Sequence, residues 1–94
     1  MDVSILTNSL KIDKIIQFGN MSSQANDIDL LVVSDDFKEV FHHKRKSIIR
    51  NWLQSNKHID VICLTKNEYL SLKKSESPFY RNIKLGSIIY DSNK

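Results

Sequence analysis

The chain has 94 residues, 40% of them apolar and 27% charged, with a formal net charge of +3 at neutral pH. That length predicts one small domain over residues 1–94 and excludes a deep cleft between two domains of a single copy. No apolar run approaches the roughly 18 residues of a membrane span, and the single cysteine excludes a disulfide framework. Met1-Asp2-Val3-Ser4 lacks the basic start of a secretory signal, so the expected location is cytoplasmic.

Residues 2–13 carry Val3, Ile5, Leu6 and Leu10 with polar residues between them, which predicts a short helix. Lys14-Ile15-Ile16-Gln17-Phe18 predicts a strand ending at Gly19. Residues 20–26 form a polar connector with room for one helical turn. Residues 28–33 predict a second strand, apolar on both faces and therefore interior to a covered sheet. Asp35 or Asp36 is placed to cap a helix over 36–55. Within it Phe37, Phe41, Ile48 and Trp52 recur at helical spacing, with Val40, Ile49 and Leu53 beside them, as a core-facing stripe.

Residues 58–64 predict a third strand, inside which Cys63 reads as a small buried hydrophobe. Thr65 with Glu68 three residues later forms a capping-box signature for the next helix, continued by Tyr69, Leu70 and Leu72. Pro78 opens another segment. Ile83, Leu85, Ile88 and Ile89 then carry apolar character to Tyr90, as a fourth, edge strand or as a tail docked on the core.

Chemistry concentrates at Asp27-Ile28-Asp29, at the mouth of the second strand. Two carboxylates two residues apart on a strand project from one face. A short connector pairs the first two strands antiparallel, and a long helical crossover returns the third parallel to the second. The end of strand one and the starts of strands two and three then share one sheet edge, which gathers Gly19, Asp27, Asp29 and Asp60. Aspartates also open strands simply to stay hydrated. Three together repel one another unless a cation compensates, and magnesium is the hard, oxygen-seeking candidate. Two such ions would clamp a phosphoryl transfer. Gly19 would let the backbone approach a triphosphate, with N–H groups of the following turn as donors.

His42-His43-Lys44-Arg45-Lys46 is a second conspicuous cluster. Adjacent helical histidines point about 100° apart and do not share one metal. A solvated basic face is the expected reading. Nucleic acid is expected only as an acceptor, because the nearby acids repel a phosphate backbone.

Phe18-Gly19-Asn20, Asp27-Ile28-Asp29-Leu30-Leu31-Val32 and Asp60-Val61-Ile62 together resemble a nucleotidyltransferase of the DNA polymerase β superfamily, in its minimal single-domain form. The tail, Tyr80-Arg81-Asn82-Ile83-Lys84-Leu85-Gly86 and then Ile88-Ile89-Tyr90-Asp91, extends the resemblance to about residue 91. It implies an α/β fold, a small mixed sheet of three to four strands flanked by helices. It also implies transfer of a nucleoside monophosphate from a nucleoside triphosphate, ATP first, to a hydroxyl of a protein, an RNA or a small molecule. Asp27 and Asp29 would bind both Mg2+ ions. Asp60 would bind the ion at the acceptor and help remove its proton. Gly19 and Asn20 would hold the triphosphate.

Two departures stand out. Asn20 replaces the family's usual Ser, and the connector to Asp27 is several residues shorter than is common. Ser22 or Ser23 is then the candidate for the missing hydroxyl. The alternative function is a catalytically weak or inactive antitoxin of a two-gene module, pairing with a small helical protein of the HEPN type. The expected partners are such a protein or a second copy of the chain.

Overall fold

The computed structural model describes residues 2–93. In chain order it has helix α1 (Ser4–Ser9), strands β1 (Lys14–Phe18) and β2 (Asp27–Val33), and a 3-10 turn over Asp35–Phe37. Helix α2 (His42–Arg50), strand β3 (His58–Leu64), helices α3 (Lys66–Ser75) and α4 (Pro78–Lys84), and strand β4 (Ser87–Asp91) follow. The strands form one mixed sheet in the order β3-β2-β1-β4. β1 is antiparallel to β2 and β4, and β2 is parallel to β3. The short 20–26 connector and the long crossover through α2 give the two senses of pairing that their lengths predict. The C-terminal apolar segment is thus an edge strand. Gly86 makes its entry possible, since a Cβ there would collide with the Gln17 carbonyl oxygen.

β2 is the buried centre, and alternation divides its side chains between two cores. Leu30 and Val32 join Leu6, Ile15, Phe37, Ile49, Val61 and Cys63 under α1 and α2. Leu31 and Val33 join Ile16, Phe18 and Ile83, with Ile62, Leu64, Tyr69 and Tyr80 packed around them, under α3 and α4. Of the fully buried β2 leucines, Leu30 on one face and Leu31 on the other each contribute about 2 kcal/mol by removal from water. Among the described residues no helix is long and apolar enough to cross a membrane.

Several expected boundaries shift, each for a visible reason. The first helix covers six residues, because residues beyond it are pinned elsewhere. The Lys11 N–H donates to Asp36 Oδ2 at 2.9 Å, and buried Ser34 Oγ donates to the Lys11 carbonyl at 2.8 Å. Neither Asp35 nor Asp36 caps a helix: Ser34 caps the 3-10 turn by accepting from the Asp36 N–H, and α2 begins after Phe41 with no side-chain cap. Asp35 instead accepts from the Lys66 N–H at the start of α3, which lowers its carboxyl pKa. The connector 20–26 holds no helical turn, only a tight turn closed by Ala25 N–H to the Ser22 carbonyl.

The helix expected over 36–55 is broken at Lys38–Phe41. A continuous helix would give the Val40 carbonyl to the N–H of Lys44. Here Arg45 Nε takes that carbonyl at 2.9 Å, and the Lys44 N–H bonds Phe41 instead. Phe41, expected in the core stripe, is therefore swung outward and 73% exposed, while Phe37 and Ile49 are buried.

Arg45 corrects the reading of a solvated basic face. It is only 4% exposed. Its guanidinium donates to the Cys63 carbonyl at 3.1 Å and to Glu68 Oε1 at 2.6 Å, and lies 5.8 Å from the centre of the Phe37 ring. Glu68 also accepts from the Thr65 N–H, completing the predicted capping box, and its other oxygen is 3.1 Å from His42 Nε2. His43, Lys44, Lys46 and Arg50 are exposed, as expected. Burial pushes the Glu68 carboxyl up. Hydrogen bonds from Arg45 and Thr65, with the Arg45 charge, outweigh it and hold the group below the ordinary glutamate value.

Arg45→Ala strands Glu68 and two carbonyls, and is expected to cost about 3 kcal/mol, the low end for a buried pair because Glu68 stays partly exposed. Thermal unfolding followed by circular dichroism should show a drop of roughly 10–20 °C. Because the folded carboxyl pKa is depressed, the ion pair's stabilisation is present at neutral pH and lost as pH falls below the ordinary glutamate value and through the lowered folded one. The Arg45→Ala variant should lack that part of the acid dependence. Cys63 is held inert by the same core: burial pushes its thiol pKa up to about 12, against the pull of Arg45 and Lys46. A disulfide reagent at about pH 8 should modify it only as fast as the chain opens, and a rapid burst would contradict that.

Candidate active site

The edge at which β1 ends and β2 and β3 begin carries the predicted acids. Register sets them side by side: Phe18 is opposite Asp29, Asp29 is opposite Asp60, and Asp27 is opposite His58. Directly opposed residues project from one face. Asp27, Asp29, His58 and Asp60 therefore form a two-by-two array on adjacent strands, beyond the core residues Leu31, Val33 and Ile62 of the same face. Asp27 and Asp60 are exposed and Asp29 is half-buried.

Gly19 follows Phe18 with φ +73°, a conformation that favours glycine. A Cβ at that position would stand 2.6 Å from Asp29 Oδ2. The strand-end glycine is thus the cradle in which this carboxylate rests. Asp60 Oδ1 is instead 3.1 Å from His58 Nε2. The backbone brings the three acids to one edge and one face while their side chains lean different ways. Among the described residues no three His, Cys, Asp or Glu side chains are drawn into a single metal-holding group.

The connector carries the other predicted residues. Asn20 Oδ1 accepts from the Ser22 N–H at 3.1 Å, and Ser22 Oγ accepts from the Gln24 N–H at 3.1 Å. These Asx and Ser turns shape the loop without a helix. They leave the Asn20 amide NH2 as a donor. Lys57 Nζ reaches across to the Ser23 carbonyl at 2.8 Å, tying the connector to the segment before β3. Asn20, Ser22, Ser23 and Asp27 line one side of a cleft of about 850 Å³, and residues 53–57 line the other. Asp29 and Asp60 are outside it. The cleft lies on the α1–α2 side of the sheet, as Gln17 and Ile28 in its lining show, and meets the carboxylate edge only at Asp27.

Two contributors were not anticipated from sequence. His58 was legible in principle, since it precedes Asp60 by two residues on one strand and so shares its face. Lys57 left no local signal, because its partner is 34 residues away.

Three carboxylates share this edge, and carboxylate oxygens are the ligand type that magnesium takes.

No protein-family model matches the sequence, and no curated protein matches it. Among solved structures, a crystal structure from Sulfolobus solfataricus assigned as a nucleotidyltransferase superposes with a TM-score of 0.65 at 19% identity. The match covers 95% of this chain and 73% of that one. The chain therefore has a nucleotidyltransferase-like fold, the mixed α/β sheet that its motifs predicted.

Gly19→Ala combines an unfavourable φ with displacement of the Asp29 carboxylate. It is expected to cost at least about 1 kcal/mol in denaturant unfolding. A variant as stable as the parent would contradict the cradle.

Proposed function

We propose that the chain transfers a nucleoside monophosphate from a nucleoside triphosphate, ATP first, to a hydroxyl group, with Mg2+. The observation that supports this most is the register that aligns Phe18, Asp29 and Asp60 across three strands, with Gly19 beneath Asp29. Asp27, Asp29 and Asp60 would hold the ions. Mg2+ held by these carboxylates would supply charge neutralisation for the triphosphate and the leaving pyrophosphate.

The chain's own residues divide the remaining work. Gly19 lets the polyphosphate approach the backbone, and the Asn20 amide donates to it. Asp60 accepts the proton as the acceptor oxygen bonds to the α-phosphorus and the bond to the β-phosphate oxygen breaks. His58 positions Asp60 through their contact. Serving as nucleotide contacts, Ser22 and Ser23 lie on the same connector. The acceptor class is a protein, an RNA or a small molecule.

The test is transfer of label from α-labelled ATP in the presence of Mg2+ and candidate acceptors. Asp27→Asn and Asp29→Asn should each lower the rate by about 100-fold or more, with unfolding temperatures close to the parent's, and chelation should abolish transfer. Equal labelling by parent and variants would overturn the reading.

A second reading keeps the fold but assigns it to binding, as an antitoxin-like partner of a small helical protein. Leu85, 80% exposed, and Ile88, 51% exposed, favour it, since both lie where the chain enters edge strand β4. A stable complex that survives Asp27→Ala, together with no transfer by the parent, would select this reading.

A further inference from the structure

The cleft of about 850 Å³ between the connector and residues 53–57 takes only Asp27 from the acids of the sheet edge and extends away from them. Its volume is within the range of small-ligand sites. Its lining includes four carboxamide residues, Gln17, Asn20, Gln54 and Asn56, together with the apolar Met21 and Leu53 and the acids Asp2 and Asp27. A carboxamide offers a donor and an acceptor together. A ligand that suits several carboxamides and apolar flanks is flat, with apolar faces and an edge of alternating donors and acceptors. A nucleobase has that chemistry.

Charge narrows the choice. The lining holds no arginine, and its one cation, Lys57, already donates to the Ser23 carbonyl. Guanine is most often read by Arg or Lys at O6 and N7, whereas adenine is read by Asn or Gln at N6 and N7. Asp27 stands at the rim, where the cleft meets the edge bearing Gly19 and Asp29.

We infer that this cleft seats the adenine ring of ATP between the connector 20–26 and the turn 53–57, with the triphosphate leaving past Asp27 toward Gly19. The inference rests on the nucleotidyl-transfer reading and adds the base-recognition site to it. Gln54 and Asn56 become the specificity residues, and neither touches the acids. Lys57 acts as a positioning residue, holding the two walls at a fixed separation.

Calorimetric titration with Mg2+ and ATP, GTP or inorganic tripolyphosphate tests the inference. Two bidentate contacts predict that ATP binds at least about tenfold more tightly than tripolyphosphate and more tightly than GTP. The double substitution Gln54→Ala, Asn56→Ala, at exposed positions, should bring ATP down to the tripolyphosphate level and leave tripolyphosphate binding unchanged. Equal affinities for ATP and tripolyphosphate, tighter binding of GTP, or an unaffected double variant would overturn the base site. If tripolyphosphate still binds and loses affinity in Asp29→Asn, the transfer reading survives that result. If no polyphosphate binds with Mg2+, both readings fall together.

Discussion

Strand register is the constraint on which the candidate site depends. Phe18, Asp29 and Asp60 lie opposite one another across β1, β2 and β3. A slip of one residue between β2 and β3 would carry Asp60 to the other face and bury it against the α2 side. Such a slip would also move Ile62 and Leu64 out of the α3–α4 core. The alignment of acids is thus held by hydrophobic burial several residues away. Leu30 with Val32, and Leu31 with Val33, cannot exchange faces without emptying both cores. The carboxylates at the mouth of β2 take their positions from the apolar run that follows them.

A second device sets the far end of the sheet. Arg45 ties α2 to the Cys63 carbonyl of β3 and to the Glu68 capping box of α3. These bonds join helices on opposite faces through the end of an edge strand. Desolvating a guanidinium is costly, and three acceptors with one carboxylate offset that cost. β3 lacks a strand neighbour on its outer side, so its position relative to β2 rests on their pairing and on this clamp. Asp60 lies at the other end of the same strand.

The sequence carried the fold where periodicity and local chemistry agree. The strands, the antiparallel and parallel pairings, and the Thr65–Glu68 cap follow from short-range patterns. So does the common edge of Gly19, Asp27, Asp29 and Asp60. What it did not carry depends on partners distant in the chain. Arg45 sits in a run of bases and looks solvated, and its burial is decided by Cys63 and Glu68, 18 and 23 residues on. The break before α2 follows from the same arginine taking the Val40 carbonyl. Lys11, pinned by Ser34 and Asp36, shortens α1 in a similar way. The cleft was invisible for the same reason, since its walls come from residues 20–23 and 53–57 and meet only in the fold.

The acids themselves show how close charges are kept on one edge without a strained backbone. Asp29 leans onto Gly19, where no Cβ stands in its way, and Asp60 turns to the ring of His58. Each carboxylate has a separate local resting place, which limits their mutual repulsion. Both are short side chains with few rotamers, so gathering their oxygens requires rotation about side-chain bonds and no movement of the strands. Glycine is then needed at position 19 for two reasons that act together. It adopts the positive φ that turns the chain out of β1, and it leaves the space that the Asp29 carboxylate occupies. Any larger residue would meet both conflicts at once, and the first residue of the connector would lose its fixed relation to the acids.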